Sequence, residues 1–393
     1  EFFSACESGN VEYVKRCISL ETFDVNQLLR STNGAKSALH IAIEKGNLEV
    51  VQQLLKAKDI DVNTRAIYKK INESFEKTAL HLSIENENLE ITKLLLANKN
   101  ININSKAVYD TPKEYSEKTA LHIAAEKGNA DIFEQLLAND KIDVNHKSYT
   151  KLISGPFSYY LPKINEDGKQ LGQYYEYGHE EKVALHIAVE KENLKIVQLL
   201  LTSRYIDVNS KLLLTCTSQE NLPKIEKTAL SIAVEKNNIE IVKLLIEHKY
   251  IEINQQYFYY LKYCRGCCQY SPSPYNAMTP MQIAIQRGFT EIVKILLANV
   301  RIDVNSYAND HFDQKNSLYI AVENNLQEIV QLLVNDRKID INKKSKFYNK
   351  ESNALHLAIT KRNIEVVRLL LNNNNIDVND IERKKNSLQF RNK

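Results

Sequence analysis

"SALHIAIEKGNLEVVQQLLKAKDIDVN", residues 37–63, reads as two short helices that cannot stand alone. Ser37 sits where a hydroxyl can cap a first helix, and "LHIAIEK" then gathers its apolar residues on one face, with Ala42 keeping that face thin. Gly46 stands where a tight turn needs positive φ, and Asn47 follows as a second cap. Leu48, Val51, Leu54 and Leu55 form the stripe of the second helix, and Glu49 complements its N-terminus. Neither helix has the dozen or so residues that an isolated helix needs, so stacking on neighbours must supply the burial.

The neighbours are in the sequence. The segment recurs at 78–104, 119–145, 183–209, 228–254, 279–305, 316–342 and 353–379, with a half copy at 1–26, making nine repeats over an array spanning 1–379. "KNSLQF" (385–390), within 380–393, reads as the start of a further repeat or as a C-terminal tail. Leu39, Leu80, Leu121, Leu185, Leu230, Met281, Leu318 and Leu355 precede the closing asparagines Asn63, Asn104, Asn145, Asn209, Asn254, Asn305, Asn342 and Asn379 by 24 positions in every case. The intervals from each closing asparagine to the next cap hold 14, 14, 37, 18, 24, 10 and 10 residues. All length variation is therefore in the connectors, of which 146–182 and 255–278 are the longest.

Stacked repeats that touch only their neighbours make a solenoid, and the chain's 393 residues exceed what one core usually serves. The repeats resemble the ankyrin repeat, whose T-P-L-H-x-A signature matches Thr78 to His81, Thr119 to His122 and Thr279-Pro280, with Thr228, His40, His186 and His356 at equivalent positions. The resemblance implies an all-α solenoid of helix-turn-helix repeats with β-hairpin or loop fingers. It also implies that the histidines hold adjacent loops by hydrogen bonds. The chain departs from the family pattern in three ways. The loop after the second helix lacks the usual glycine, the cap becomes Val183, Asn316 and Asn353, and the histidine becomes Phe3, Ser231, Gln282 and Tyr319. Those repeats are expected to be locally less stable.

By the same resemblance, partner contacts fall on the residue before the cap and on the two that follow the first helix's alanine pair. Here these are Lys36 with Glu44 and Lys45, Lys77 with Glu85 and Asn86, Lys118 with Glu126 and Lys127, Lys182 with Glu190 and Lys191, and Lys227 with Glu235 and Lys236. They barely vary, and read either as charge ladders on a solvated face or as a repetitive groove for a charged, extended partner. A near-uniform face discriminates little, which places specificity in the long fingers. Tyr159, Tyr160, Tyr174, Tyr175 and Tyr177 lie in one, and Tyr257, Tyr259, Tyr260 and Tyr263 in the other. Tyrosine gives large contact area at low entropy cost; the alternative is that these rings pack on each other and on adjacent helices.

Cys264, Cys267 and Cys268 share the second finger. A zinc site, a redox-sensitive cluster and an ordinary exposed loop all remain open, the C-x-x-C spacing lacking a second pair. In "HEEKVALH" (179–186) the histidines are seven apart instead of four, and the sequence shows neither a phosphate-cradling loop nor a nucleophile with a base. No enzyme activity and no cofactor are expected. With 52 basic against 49 acidic residues there is no footprint for nucleic acid, and no apolar run reaches a membrane span. Six cysteines in this length suit a reducing, cytoplasmic setting. The expected function is a monomeric, non-catalytic scaffold binding other proteins through the concave face and the fingers. The alternative is the ankyrin portion of a larger enzyme, ligase adaptor or channel, for which a start at Glu1 without methionine leaves room.

Overall fold

A computed structural model describes residues 1–152, 163–164, 170–171, 177–216, 225–259, 276–309, 313–347 and 350–378. They belong to two compact bodies, Glu1–Lys224 and Ile225–Lys393. In the first, helix pairs run Phe2–Ser8 with Val11–Ile18, Ala38–Glu44 with Leu48–Leu54, Ala79–Glu85 with Leu89–Leu96, Ala120–Lys127 with Ala130–Leu137, and Ala184–Glu190 with Leu194–Thr202. In the second they are Ala229–Glu235 with Ile239–Glu247, Pro280–Gln286 with Thr290–Ala298, Ser317–Glu323 with Gln327–Asn335, and Ala354–Thr360 with Ile364–Leu371.

Helices this short persist because each is sandwiched. Leu39, Leu80, Leu121 and Leu185 are fully buried at the same register, as are Ala42, Ala124 and Ala188 beside them. The turn between paired helices is left-handed at Gly46, Gly128, Gly288, Asn237 and Asn325, as the spacing predicts. It is equally left-handed at Glu87 (φ 54°), Glu192 (φ 57°) and Arg362 (φ 58°), where a side chain bears the strain. The glycine-free loop after the second helix closes without positive φ: in "IDVN" the Asp61 carboxylate accepts the Asn63 N–H at 2.9 Å, and Asp303 does the same for Asn305.

The connectors correct the all-α expectation, for the described residues form antiparallel strands between the helix pairs. In the first body Leu28–Ser31, Gly34–Ser37, Arg65–Lys70, Glu73–Thr78, Lys106–Asp110, Glu114–Thr119, Ser148–Leu152, Tyr177–Lys182 and Lys211–Cys216 pair in that order, always antiparallel. In the second body Tyr257–Tyr259, Asn276–Met278, Tyr307–Asn309, Gln314–Asn316, Ser345–Phe347 and Lys350–Ser352 do likewise. Helix layers stack about 8–10 Å apart, which is about twice the 4.7–4.9 Å between paired strands. Two strands per repeat therefore keep step with the helices, and neighbouring hairpins fuse into one sheet. Gly34 serves this fit, since a Cβ there would lie 1.8 Å from the Ile67 carbonyl oxygen.

Candidate protein-interaction face

Each inner helix leaves the sheet at its cap, so the residue just before the cap lies at the end of a strand, beside the start of the helix. Lys36, Lys77, Lys118, Lys182, Lys227 and Lys315 occupy that place. Their ammonium groups reach the carboxylate at the far end of the same helix. Lys77 Nζ lies 2.7 Å from Glu85, Lys182 2.7 Å from Glu190, Lys227 2.7 Å from Glu235, Lys36 2.8 Å from Glu44, and Lys118 and Lys315 2.9 Å from Glu126 and Glu323. A cation at a helix C-terminus is favoured by the aligned peptide dipoles as well as by the carboxylate. The pairs are largely sheltered, the Lys77 and Glu85 side chains being 15% and 18% exposed.

Aromatic rings brace the rungs of the first body. Lys36 and Lys77 both lie over Tyr68, at 4.7 and 5.9 Å, and Lys77 and Lys118 over Tyr109, at 4.8 and 5.4 Å. The Tyr109 hydroxyl donates to Glu85 Oε1 at 2.6 Å. Burial, reinforced by the Glu85 charge, pushes the Tyr109 phenol far up, and burial with Glu44 does the same to Tyr68. At Lys182 burial works against the charge, but Glu180 and Glu190 outweigh it and hold the ammonium above its ordinary value. Two rungs lack charge, and both partners change together: Met278 with Gln286, and Ser352 with Thr360. No rung keeps one charge and loses the other, which identifies the pair as the conserved element within the chain.

Of the expected contact residues, Glu126, Glu190 and Glu235 are thus engaged by lysines of their own repeat. Lys127, Lys191 and Lys236 stand exposed at the helix ends beyond them. Tyr177, Tyr257 and Tyr259 lie in strands Tyr177–Lys182 and Tyr257–Tyr259. Tyr159, Tyr160, Tyr174, Tyr175, Tyr260, Tyr263, Cys264, Cys267 and Cys268 lie outside the described residues.

The repeat-motif residues form a second network beneath the face. Nδ1 of His81 lies 2.8 Å from the Thr78 hydroxyl and accepts from the Thr78 N–H at 3.2 Å, so its Nε2–H donates to the Ser105 carbonyl at 2.9 Å. His40 pairs with Ser37 and the Lys77 carbonyl, His122 with Thr119 and the Lys182 carbonyl, and His186 with the Ser210 carbonyl. Burial lowers all four imidazoles to about 4, so they are neutral at pH 7. Gln282 reproduces both links, accepting from the Thr279 N–H at 2.9 Å and donating to the Ser306 carbonyl at 2.8 Å. Two of the three altered caps are also served, Asn316 and Asn353 accepting from the Tyr319 and His356 N–H groups at 2.9 and 2.8 Å, while Val183 has no side-chain cap bond; where Ser231 replaces the histidine, Thr228 accepts from the Ser231 N–H at 3.2 Å.

A third network escaped the sequence reading. Closing asparagines span to the next repeat's loop, Asn63 donating to the Asn100 carbonyl at 2.8 Å and accepting from the Asn102 N–H at 2.7 Å. Asn26, Asn104, Asn145, Asn254, Asn305 and Asn342 do the same. Its only signal was recurrence at fixed spacing. Asn47, expected as a helix cap, instead donates to the Cys6 and Glu7 carbonyls of the preceding repeat.

Two shallow hollows open on the sheet of the first body. One of about 790 Å³ is lined by Thr32, Asn33, Lys36, Tyr68, Lys69, Lys70 and Ile71, and one of about 330 Å³ by Lys106, Glu117, Lys147, Ser148, Tyr149 and Glu181. Among the described residues no group of three or more His, Cys, Asp or Glu could hold a metal ion, and no helix is long and apolar enough to cross a membrane.

A model of ankyrin repeats in three copies matches residues 2–66, 67–148, 176–257 and 258–345, and a single-repeat model matches 351–383. The crystal structure of the ankyrin repeat domain of Bcl-3, described as a unique member of the IkappaB protein family, is similar at 20% identity and a TM-score of 0.45, over 76% of this chain and 98% of that one. No curated protein matches. The matched residues extend over most of the sequence, and the chain belongs to the ankyrin repeat family.

Proposed function

We propose that the chain is a non-catalytic scaffold that binds partner proteins through the rung-bearing face and, for specificity, through connectors 146–182 and 255–278. Ankyrin repeats are in general protein–protein interaction modules. The observation carrying the finer reading is where the chain spends its extra length. Every leucine anchor and closing asparagine stay 24 positions apart while two connectors grow to 37 and 24 residues rich in tyrosine. Added residues thus fall where they do not carry the stack, and loops on a rigid scaffold are where recognition concentrates. The rungs, already paired within each repeat, supply a uniform platform in this reading. Low cysteine use supports a reducing, cytoplasmic setting, and size-exclusion chromatography is expected to find a monomer.

Affinity capture, quantified by mass spectrometry, tests the proposal by comparing the intact chain with one whose two long connectors are cut to the ten-residue length found between Asn305 and Asn316. Partners held by the intact chain should be lost from the shortened one while its helical circular dichroism is retained. Unchanged capture would mean that the connectors do not set specificity.

A further inference from the structure

In the last described repeat, Ala354–Thr360 with Ile364–Leu371, apolar positions that are closed elsewhere stand open. Ile359 is 47% exposed, whereas Ile43, Ile84 and Ile285 at the same register are at most 1% exposed. Val378 is 48% exposed, against at most 3% for Val62, Val144 and Ile341. Val367 and His356 are half-buried where Val51 and His81 are buried. Yet Ala354, Leu355, Val366 and Leu370 remain closed, because Ser317–Glu323 and Gln327–Asn335 cover that side. The exposure of Ile359, Val367 and Val378 thus lies away from the covered side, on the side where every earlier repeat of this body meets its successor.

The opposite face at the other end of the chain has a different chemistry. There Glu1, Tyr13 and Cys17 occupy the register of Ala38, Val50 and Leu54, and the Tyr13 hydroxyl donates to the Glu1 carboxylate at 2.9 Å. Polar groups replace apolar ones on that face. No such replacement has occurred at Ile359, Val367 and Val378, so the C-terminal face has the composition of a surface that is covered.

The sequence supplies a cover. Lys385-Asn386-Ser387-Leu388-Gln389-Phe390 matches Lys315-Asn316-Ser317-Leu318-Tyr319-Ile320 at four of six positions. Asn316 caps the inner helix there, and Leu318 is buried. Gln389 falls where Gln282 holds its cap and the next connector. Six residues separate Asn379 from Asn386; at about 3.3 Å each they reach roughly 20 Å, more than the 8–10 Å step between stacked helices. We propose that Asn386–Phe390 docks on the face bearing Ile359, Val367 and Val378 as the first turn of a further inner helix, Leu388 taking the anchor position held by Leu318.

Hydrogen exchange followed by mass spectrometry on the 393-residue chain tests this inference, which does not rest on the partner-binding reading. Leu388→Ser combined with Phe390→Ser is expected to speed exchange of the 354–371 amides by roughly tenfold, the effect of exposing one leucine side chain, and to leave 229–298 unchanged. Leu388→Met, which keeps the apolar volume, should preserve the protection. Equal exchange in the double variant overturns the proposal, as does equal loss in Leu388→Met. Protection that rises with protein concentration and ignores Leu388 would assign the face to a second copy, and overturn it too.

Discussion

His40, His81, His122 and His186 are neutral because burial removes the water that an imidazolium needs, and their bonds to cap and carbonyl suit the neutral form. An unfolded histidine titrates near 6.5, and these, when folded, titrate at about 4. Between those values the unfolded state binds more protons, so stability is intact above about pH 6.5 and declines as pH falls toward 4, by up to about 1.4 kcal/mol per pH unit and histidine. His81→Gln, which copies the arrangement at Gln282, is expected to keep stability at pH 7 within about 1 kcal/mol and to flatten the acid limb. Urea unfolding at pH 7, 6 and 5 would show it, and an unaltered slope in the variant would refute the assignment. The left-handed turns give an opposite case. Glu87→Gly and Glu192→Gly remove a strained side-chain conformation and are expected to stabilise by about 0.5–1 kcal/mol. Thermal unfolding should register each as a higher Tm. Here the sequence was half legible: glycine or asparagine at five sister turns marked the position, but a glutamate carries no sign of positive φ.

Among elements, the Lys–Glu rung joins the end of a strand to the end of the helix that follows it, eight residues on. That spacing lies outside the i,i+3 and i,i+4 pairs that sequence reading looks for, which is why the two charges read as separate ladders. Lys77→Met alone leaves Glu85 sheltered and unpaired, and should destabilise by more than Lys77→Met with Glu85→Gln, the composition found at Met278 and Gln286. A double-mutant cycle is expected to return a coupling of about 1 kcal/mol; a value near zero would reduce the rung to two independent surface charges. The closing asparagines were legible as a ruler but silent as a contact, since their partners lie one repeat away. Asn63→Ala breaks both bonds to the next loop and should cost about 1–2 kcal/mol, with faster exchange at the Asn102 amide. The sheet was missed for a similar reason. Its strands are polar and of unequal length, and the pairing is set by the stacking distance of helices, which no single connector records.

For the molecule as a whole, stability in such an array is a sum of repeats and their neighbour interfaces. Phe133 is fully buried in the helix Ala130–Leu137, between repeats of the first body. Phe133→Ala is expected to cost about 3–5 kcal/mol and to loosen the repeats at 79–96 and 184–202 while sparing 2–18; hydrogen exchange that loosened only 120–137 would contradict neighbour coupling. The fold was readable because one spacing repeats along the chain, so each copy checks the others. The proposed specificity was readable only as a location, because the tyrosine-rich connectors are the stretches that do not repeat and no copy checks another. One consequence of the paired rungs concerns how anything arrives. On the first body the lysines at 36, 77, 118 and 182 are matched by glutamates at 44, 85, 126 and 190, so the rungs sum to zero charge over distances of a few ångströms. A surface of rungs casts no long-range field of its own. Encounter with it should proceed at the unassisted 10⁵–10⁶ M⁻¹s⁻¹ and vary little with added salt, leaving selection to how long a partner stays.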